Sequence, residues 1–251
     1  MPVVCRLWWV VLGLLAAQPL LAAQLIKVGA YHFPPYVSKP EAEQAQGLLP
    51  DLLSALNAEQ GEYQFVLVPT SVTRRFRDLQ SARYDLIMFE SPSWGWQNTP
   101  HETFDLQVQD AEVYVAKAVA GRGQDYFAQF SGKRMALYSG YHYGFAQFNA
   151  DPEYLTKQFN AVLTYSHDSN LLMVLRERAD LTVVTRSYLH HYLLRYPEQR
   201  PQMLVSERVD QVYRHQALLR PHAPISAQAL RSLLQRLREG GQLSALYRQY
   251  D

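Results

Sequence analysis

Three aromatic side chains, Tyr31, Phe33 and Tyr36, crowd around the dipeptide Pro34-Pro35. Proline has no N–H to give a sheet, so a strand entering this segment must stop there and leave its rings in a rigid loop. Aromatic faces offer large contact area for little ordering cost, so these rings either stack on a ligand or pack into the core. Trp94 and Trp96 sit in a loop with Pro92 and Gly95, placed to wall a cleft or to pack a hinge. Arg74, at a predicted helix start beside Thr70, Ser71 and Thr73, and Arg186, at a strand end, are the candidates for holding an anion. Arg75 and Arg77 read as solvated charges on a helix face. Ser139, Gly140, Tyr141 and Tyr143 lie between a strand and a predicted helix start. Free N–H groups there bind carboxylate or phosphate, and glycine lets a backbone approach; an ordinary helix cap is the other reading.

No pattern points to bond-breaking chemistry. The eight histidines form no HExxH motif, and a helix turns the adjacent His190 and His191 about 100° apart, which disfavours both as ligands of one metal. There is no Walker loop, dinucleotide fingerprint or G-x-S-x-G elbow. The acidic residues are numerous, but their spacing singles out no pair for acid–base work. No catalytic residue, metal or cofactor is therefore assigned.

The elements that must carry these residues follow from periodicity. Leu25 to Ala30 reads as a buried strand, Pro50 to Glu59 as a helix with Leu52, Leu53 and Leu56 on one face, Tyr63 to Val68 as a strand, Arg74 to Ala82 as a helix, and Tyr84 to Phe89 as a strand. This β-α-β-α-β order is that of a parallel sheet. Glu90 to Thr103 reads as loop and Gln107 to Ala118 as strand. A second unit then follows: a strand at Met135 to Tyr138, a helical stretch up to Asn149, a helix through Arg178 capped by Asp168 or Ser169, a strand at Asp180 to Val184, and a helix at Ser187 to Tyr196. A strand at Gln211 to Leu219 and helices at Ser226 to Gln235 and Gly241 to Tyr250 close the chain. The expected organisation is two α/β lobes joined by two crossovers: residues 24–112 plus 213–251 form the first lobe and residues 113–212 the second.

Residues 1–23 read as a cleaved secretory signal, with Arg6, an apolar run from Leu7 to Ala17, and small residues at Leu21 to Ala23. The run is too short to span a bilayer; an uncleaved anchor is the competing reading. Cys5, the sole cysteine, falls inside this segment, so the mature chain has no disulfide, and its roughly 228 residues must rely on their own core. Export without disulfides suits the bacterial periplasm. With Arg6 removed, the mature chain holds 23 basic and 23 acidic residues. That balance, with no long basic run, argues against nucleic acid and anionic membrane surfaces as partners.

The order and spacing of several short motifs together resemble a type 2 periplasmic solute-binding protein, the amino-acid-binding branch called solute-binding protein family 3. They are Val28-Gly29 through Tyr36; Gly47 with Asp51-Leu52; Leu79 to Ser81 before Tyr84-Asp85; Ser131 to Lys133 with Gly140; Leu175 through Asp180; and Gly241 with Tyr247. A sub-branch with Arg-x-x-x-x-Leu-x-x-Gly and Gly-x-x-Tyr-Gly matches at Arg74 to Leu79 and at Gly140, Tyr143 and Gly144, departing at Ala82. The resemblance implies a two-lobe type II fold with a ligand cleft between the lobes, hinge closure on an amino acid or related small carboxylate, and a monomer serving an inner-membrane ABC permease or a sensor protein. It also covers periplasmic dehydratases, for which His32 and His142 are loose acid–base candidates. Two of the family's usual residues are missing. The Arg after the third strand, which forks onto a ligand carboxylate, has no counterpart between Ser91 and Gln97. The Asp that holds the ligand ammonium is replaced by Thr185. The implied ligand is thus an unusual one.

Overall fold

The computed structural model describes residues 22–250. The expected signal segment, apart from its last two residues, and the final Asp251 lie outside the described residues. Eight strands form one mixed sheet in the order β2-β1-β3-β8-β4-β7-β5-β6. They are β1 (Gln24–Ala30), β2 (Tyr63–Pro69), β3 (Leu86–Glu90), β4 (Glu102–Lys117), β5 (Met135–Tyr138), β6 (Ala161–Thr164), β7 (Leu181–Thr185) and β8 (Met203–Leu219). The helices are α1 (Leu48–Glu59), α2 (Arg75–Gln80), α3 (Pro152–Phe159), α4 (His167–Leu175), α5 (Arg186–Arg195), α6 (Ala227–Glu239) and α7 (Gln242–Arg248). No helix among the described residues is long and apolar enough to cross a membrane.

Each end of the sheet is a parallel unit. β1 pairs in parallel with β2 and β3, and β5 with β6 and β7. Parallel strands are covered on both faces, which is why β3, β5 and β7 are buried along their whole length. α1 covers the first unit with the row Leu48, Leu49, Leu52, Leu53 and Leu56, the repeat of one helix face.

Between the units runs a long antiparallel ribbon of β4 and β8, the two crossovers of a two-lobe architecture. The ribbon is bulged: its register slips between Asp105 and Val108, and again between Glu112, Val113 and Val115. Bulges bend a strand and tighten its twist, so the ribbon turns where it passes between the units. Both strands are longer than periodicity alone predicts. β4 begins at Glu102, inside the expected loop, and β8 at Met203, because pairing along the ribbon holds segments with no clean alternation.

Other differences are local. α3 and β6 are not predicted by periodicity; Asp151 accepts from the Tyr154 amide and Pro152 occupies the first turn, a combination that starts a helix. The cap of α4 is Ser166, which accepts from the Ser169 amide, rather than Asp168 or Ser169. The helical stretch expected up to Asn149 reduces to a 3-10 turn over Gly144–Ala146. Ala82, where the resembling pattern has glycine, adopts φ 55°, the left-handed region that glycine enters freely.

Candidate functional site

The parallel units meet at the carboxyl ends of their strands, where open α/β sheets bind ligands. The contact encloses a cavity lined by Tyr31, Phe33, Val72, Arg75, Trp94, Glu112, Tyr141 and His142. Tyr31 and Phe33 come from the loop after β1, Val72 from the turn before α2, Arg75 from the first position of α2, Trp94 from the loop after β3, Glu112 from β4, and Tyr141 and His142 from the loop after β5. The cavity offers about 10 Å³ of water-accessible space, room for about one water. The units are closed on each other, and their own rings occupy the interior. Phe33 meets Trp94 edge-on at 5.7 Å and 88° and Tyr141 at 5.8 Å and 75° between centroids, geometries that aromatic pairs favour. The Tyr141 hydroxyl donates to the His32 carbonyl at 3.1 Å.

Gly140 sets how near the units come. It has φ 83°, and a Cβ on it would lie 2.7 Å from Val72 Cγ1. Only glycine takes that backbone conformation and that contact together.

Two charged clusters wall the cavity. Arg75 is 1% exposed and Glu90 0%, with Nε and Oε1 3.5 Å apart. The guanidinium also donates to the Val72 carbonyl, and to the Trp94 carbonyl at 3.0 Å. It lies 5.1 Å from the Tyr31 ring centroid. Glu90 accepts from the Trp96 indole at 2.8 Å. Burial raises the Glu90 pKa, with Arg75 and the hydrogen bonds from Trp96 and Tyr31 pulling it back.

Glu112 is buried and accepts from Gln211 Nε2 at 2.8 Å. Among the described residues no cation stands within 4.0 Å of it, the separation that defines an ion pair. Burial, and then repulsion from Asp210, push its pKa well above the usual carboxylate range. Gln211 also donates to the His142 carbonyl at 2.7 Å and accepts from the Trp94 indole at 3.1 Å. One amide thus ties both units to the ribbon. Burial, with Arg75 nearby, lowers the His142 pKa to about 4, so its ring is neutral at pH 7.

Of the residues singled out from sequence, Tyr31, Phe33, Trp94, Tyr141 and His142 line this cavity, Gly140 sits against Val72 beside it, and the others lie elsewhere. Trp96 is fully buried behind Glu90. Tyr143 is fully buried, its hydroxyl bonded to the backbone N–H and carbonyl of Tyr138. Ser139 is buried, and its N–H donates to the Thr164 carbonyl. The expected anion cradle at the end of this loop is already filled. Asp210 accepts from the Gly144 and Phe145 N–H groups at 2.6 and 2.8 Å and from the Tyr114 hydroxyl at 2.6 Å. A carboxylate of the chain itself holds the turn that was expected to receive one from a ligand.

Arg74 is exposed, its Nε donating to Ser71 Oγ at 3.2 Å. The buried guanidinium is that of its neighbour Arg75, which reads from sequence as a solvated charge. The signal for it was its place four residues before Leu79, the buried apolar residue of α2, which puts both on one helix face. Tyr36 and Arg186 line a larger open groove of about 620 Å³ on the flank of the ribbon. There Asp110 accepts from the Tyr36 hydroxyl at 2.8 Å and from Ser187 Oγ at 2.5 Å. Burial raises the Asp110 pKa, and these hydrogen bonds offset part of the rise. Thr185, at the position of the missing Asp, caps α5 by accepting from the Tyr188 amide at 3.1 Å. Glu90, Glu112 and Gln211 were not singled out; their signal was a charged or amide residue within or at the end of an apolar strand run.

No family model matches the chain, and no curated protein matches it in sequence. Solved structures do match in shape. The GluR0 ligand-binding core from Nostoc punctiforme in complex with L-glutamate aligns with a TM-score of 0.68 at 15% identity, over 90% of this chain and 98% of that one. An ancestral arginine-binding protein bound to arginine aligns with a TM-score of 0.68 at 14% identity, over 91% and 99%. The ancestral amino acid-binding protein AncCDT-1, a precursor of cyclohexadienyl dehydratase, aligns with a TM-score of 0.65 at 18% identity, over 90% and 94%. The chain thus has the mixed α/β, two-lobe type II fold of periplasmic amino-acid-binding proteins.

Proposed function

We propose that this protein is a periplasmic substrate-binding protein that captures a small polar solute by closing two lobes on it. The first lobe is 24–112 plus 213–251 and the second 113–212, hinged at the bulged ribbon. The observation that carries the reading is the cavity at the strand ends, walled by residues from both sheet halves and by Glu112 of the crossover between them. A pocket built from two bodies that must separate for entry couples ligand contacts to closure, since a ligand touching both favours the closed state. The binding of arginine and glutamate by proteins of this shape supports an amino acid or a related small solute. In this reading the protein is exported by residues 1–23, works as a monomer without catalysis or cofactor, and delivers its solute to an inner-membrane ABC permease or reports it to a sensor.

The test is a thermal-shift screen of residues 24–251 against amino acids, polyamines, dicarboxylates and aromatic acids. A ligand at 100 times its Kd adds about 2.7 kcal/mol of stability. A saturable shift from one class is the expected result; silence across all classes overturns the reading.

A further inference from the structure

From the charge balance of the cavity we propose that the solute is an organic ammonium ion, its cationic head seated among Phe33, Trp94 and Tyr141 with Glu112 as counter-ion. The inference rests on the solute-binding reading above and narrows it to a ligand class.

Two ionisable side chains could recognise a charged solute here, and one is committed. Arg75 faces Glu90 and spends donors on the Val72 and Trp94 carbonyls. A ligand carboxylate would have to compete with a buried acid for it. Glu112 is the opposite case. Among the described residues its side-chain hydrogen bond comes from a neutral amide and no cation stands within 4.0 Å of it; Arg75, which lines the same cavity, faces Glu90 instead. A buried carboxylate with no counter-charge is costly, so burial favours the neutral acid; a cationic ligand head offsets the cost of ionising it.

The other walls fit the same ligand. Phe33 stands nearly perpendicular to Trp94 and steeply inclined to Tyr141, so the rings present faces in different directions. Ring faces attract cations, and most strongly in a dry site. Gln211 fixes two of these parts at once, holding Glu112 at 2.8 Å and the Trp94 indole at 3.1 Å. His142, neutral at pH 7, adds no opposing charge. The closed cavity has room for about one water, so the ammonium enters an opened form and replaces ring–ring contacts with ring–cation contacts.

The test is isothermal titration of residues 24–251 with two cations, choline and butylammonium, each against a neutral counterpart, 3,3-dimethyl-1-butanol and 1-pentanol. L-Glutamine and L-glutamate complete the panel. The expected result is that a cation binds at least tenfold more tightly than its neutral counterpart, and that Glu112→Gln weakens it at least tenfold. The comparison of charge is made in the unaltered protein, so it holds even if Glu112→Gln folds poorly. If an amino acid binds and the cations do not, or if a neutral counterpart binds as well as its cation, the ammonium assignment is overturned while solute binding stands. If nothing in this panel or in the broader thermal-shift screen binds, both fail.

Discussion

Gln211 donates to Glu112 at 2.8 Å across the ribbon of β4 and β8, and that one hydrogen bond joins the two crossover strands at the floor of the cavity. The same side chain reaches Trp94 on one side and the His142 carbonyl on the other. Replacing Gln211 with Ala leaves an acid, an indole N–H and a carbonyl without their partner. We expect a loss of about 3 kcal/mol in urea unfolding, since each buried polar group left unsatisfied costs about 1–3 kcal/mol. A loss below about 0.5 kcal/mol would show that water satisfies these groups equally well.

Adjacent arginines should behave as opposites. Arg75→Ala breaks the buried ion pair with Glu90 and removes the guanidinium bonds to the Val72 and Trp94 carbonyls, a change that costs about 3–5 kcal/mol. Arg74→Ala removes an exposed side chain and should stay within about 0.5 kcal/mol of the parent. Chemical denaturation of the two variants side by side decides this; equal effects would contradict the assignment of Arg75 as the buried member.

How much of this was legible beforehand divides along physical lines. The strand–helix alternation and the aromatic loop at Tyr31 to Tyr36 follow from short-range pattern, and the fold class came with them. So did Tyr31, Phe33, Trp94 and Tyr141, since an aromatic residue in a loop has few places to go. The charged residues were harder. Arg74 and Arg75 differ by 100° around a helix, and which one points inward depends on the packing of Val72 and Leu79. Glu112 lies in a run that is buried on both faces from Asp110 to Ala116, where alternation carries no information. The cradle at Gly144 could be read as an anion site from its N–H groups, but its occupant, Asp210, lies 66 positions away in sequence.

Gly140 is a direct lever on closure. Gly140→Ala puts a methyl group against Val72 in a backbone conformation that disfavours it by about 1–2 kcal/mol. Solute affinity should fall at least tenfold, and Val72→Ala in the same chain should recover part of that loss by clearing Cγ1. Titration of the single and double variants with whichever compound shifts the parent's melting checks this. An unchanged affinity in Gly140→Ala would mean that the solute-bound form does not use this contact.

Acid sensitivity has an identifiable source. His215 is fully buried, and burial pushes its pKa down to about 3 from the ordinary 6.5. The unfolded chain takes up this proton and the folded chain does not, so the His215 contribution falls as pH drops from about 6.5 towards 3, at about 1.4 kcal/mol per pH unit. Glu90, Asp110 and Glu112 have raised pKa values and act in the opposite direction: their contribution is greatest at low pH and is lost as pH rises. His215→Phe isolates the histidine. Relative to the parent, the variant should gain about 2 kcal/mol between pH 7 and pH 5. Parallel stability profiles would contradict a neutral buried His215.

The central claim is that two lobes open and close on a small solute, and the distance between them tests it most directly. Residues 24–251 contain no cysteine, so Gln80→Cys on α2 and Gln158→Cys on α3, both exposed, place spin labels at unique sites, one in each proposed lobe. Pulsed electron–electron resonance without solute should show a broad distribution with a long-distance component. With the compound that shifts the melting curve at saturation, the distribution should collapse to one short distance. A single distance that does not change with any compound in the screen would contradict the account.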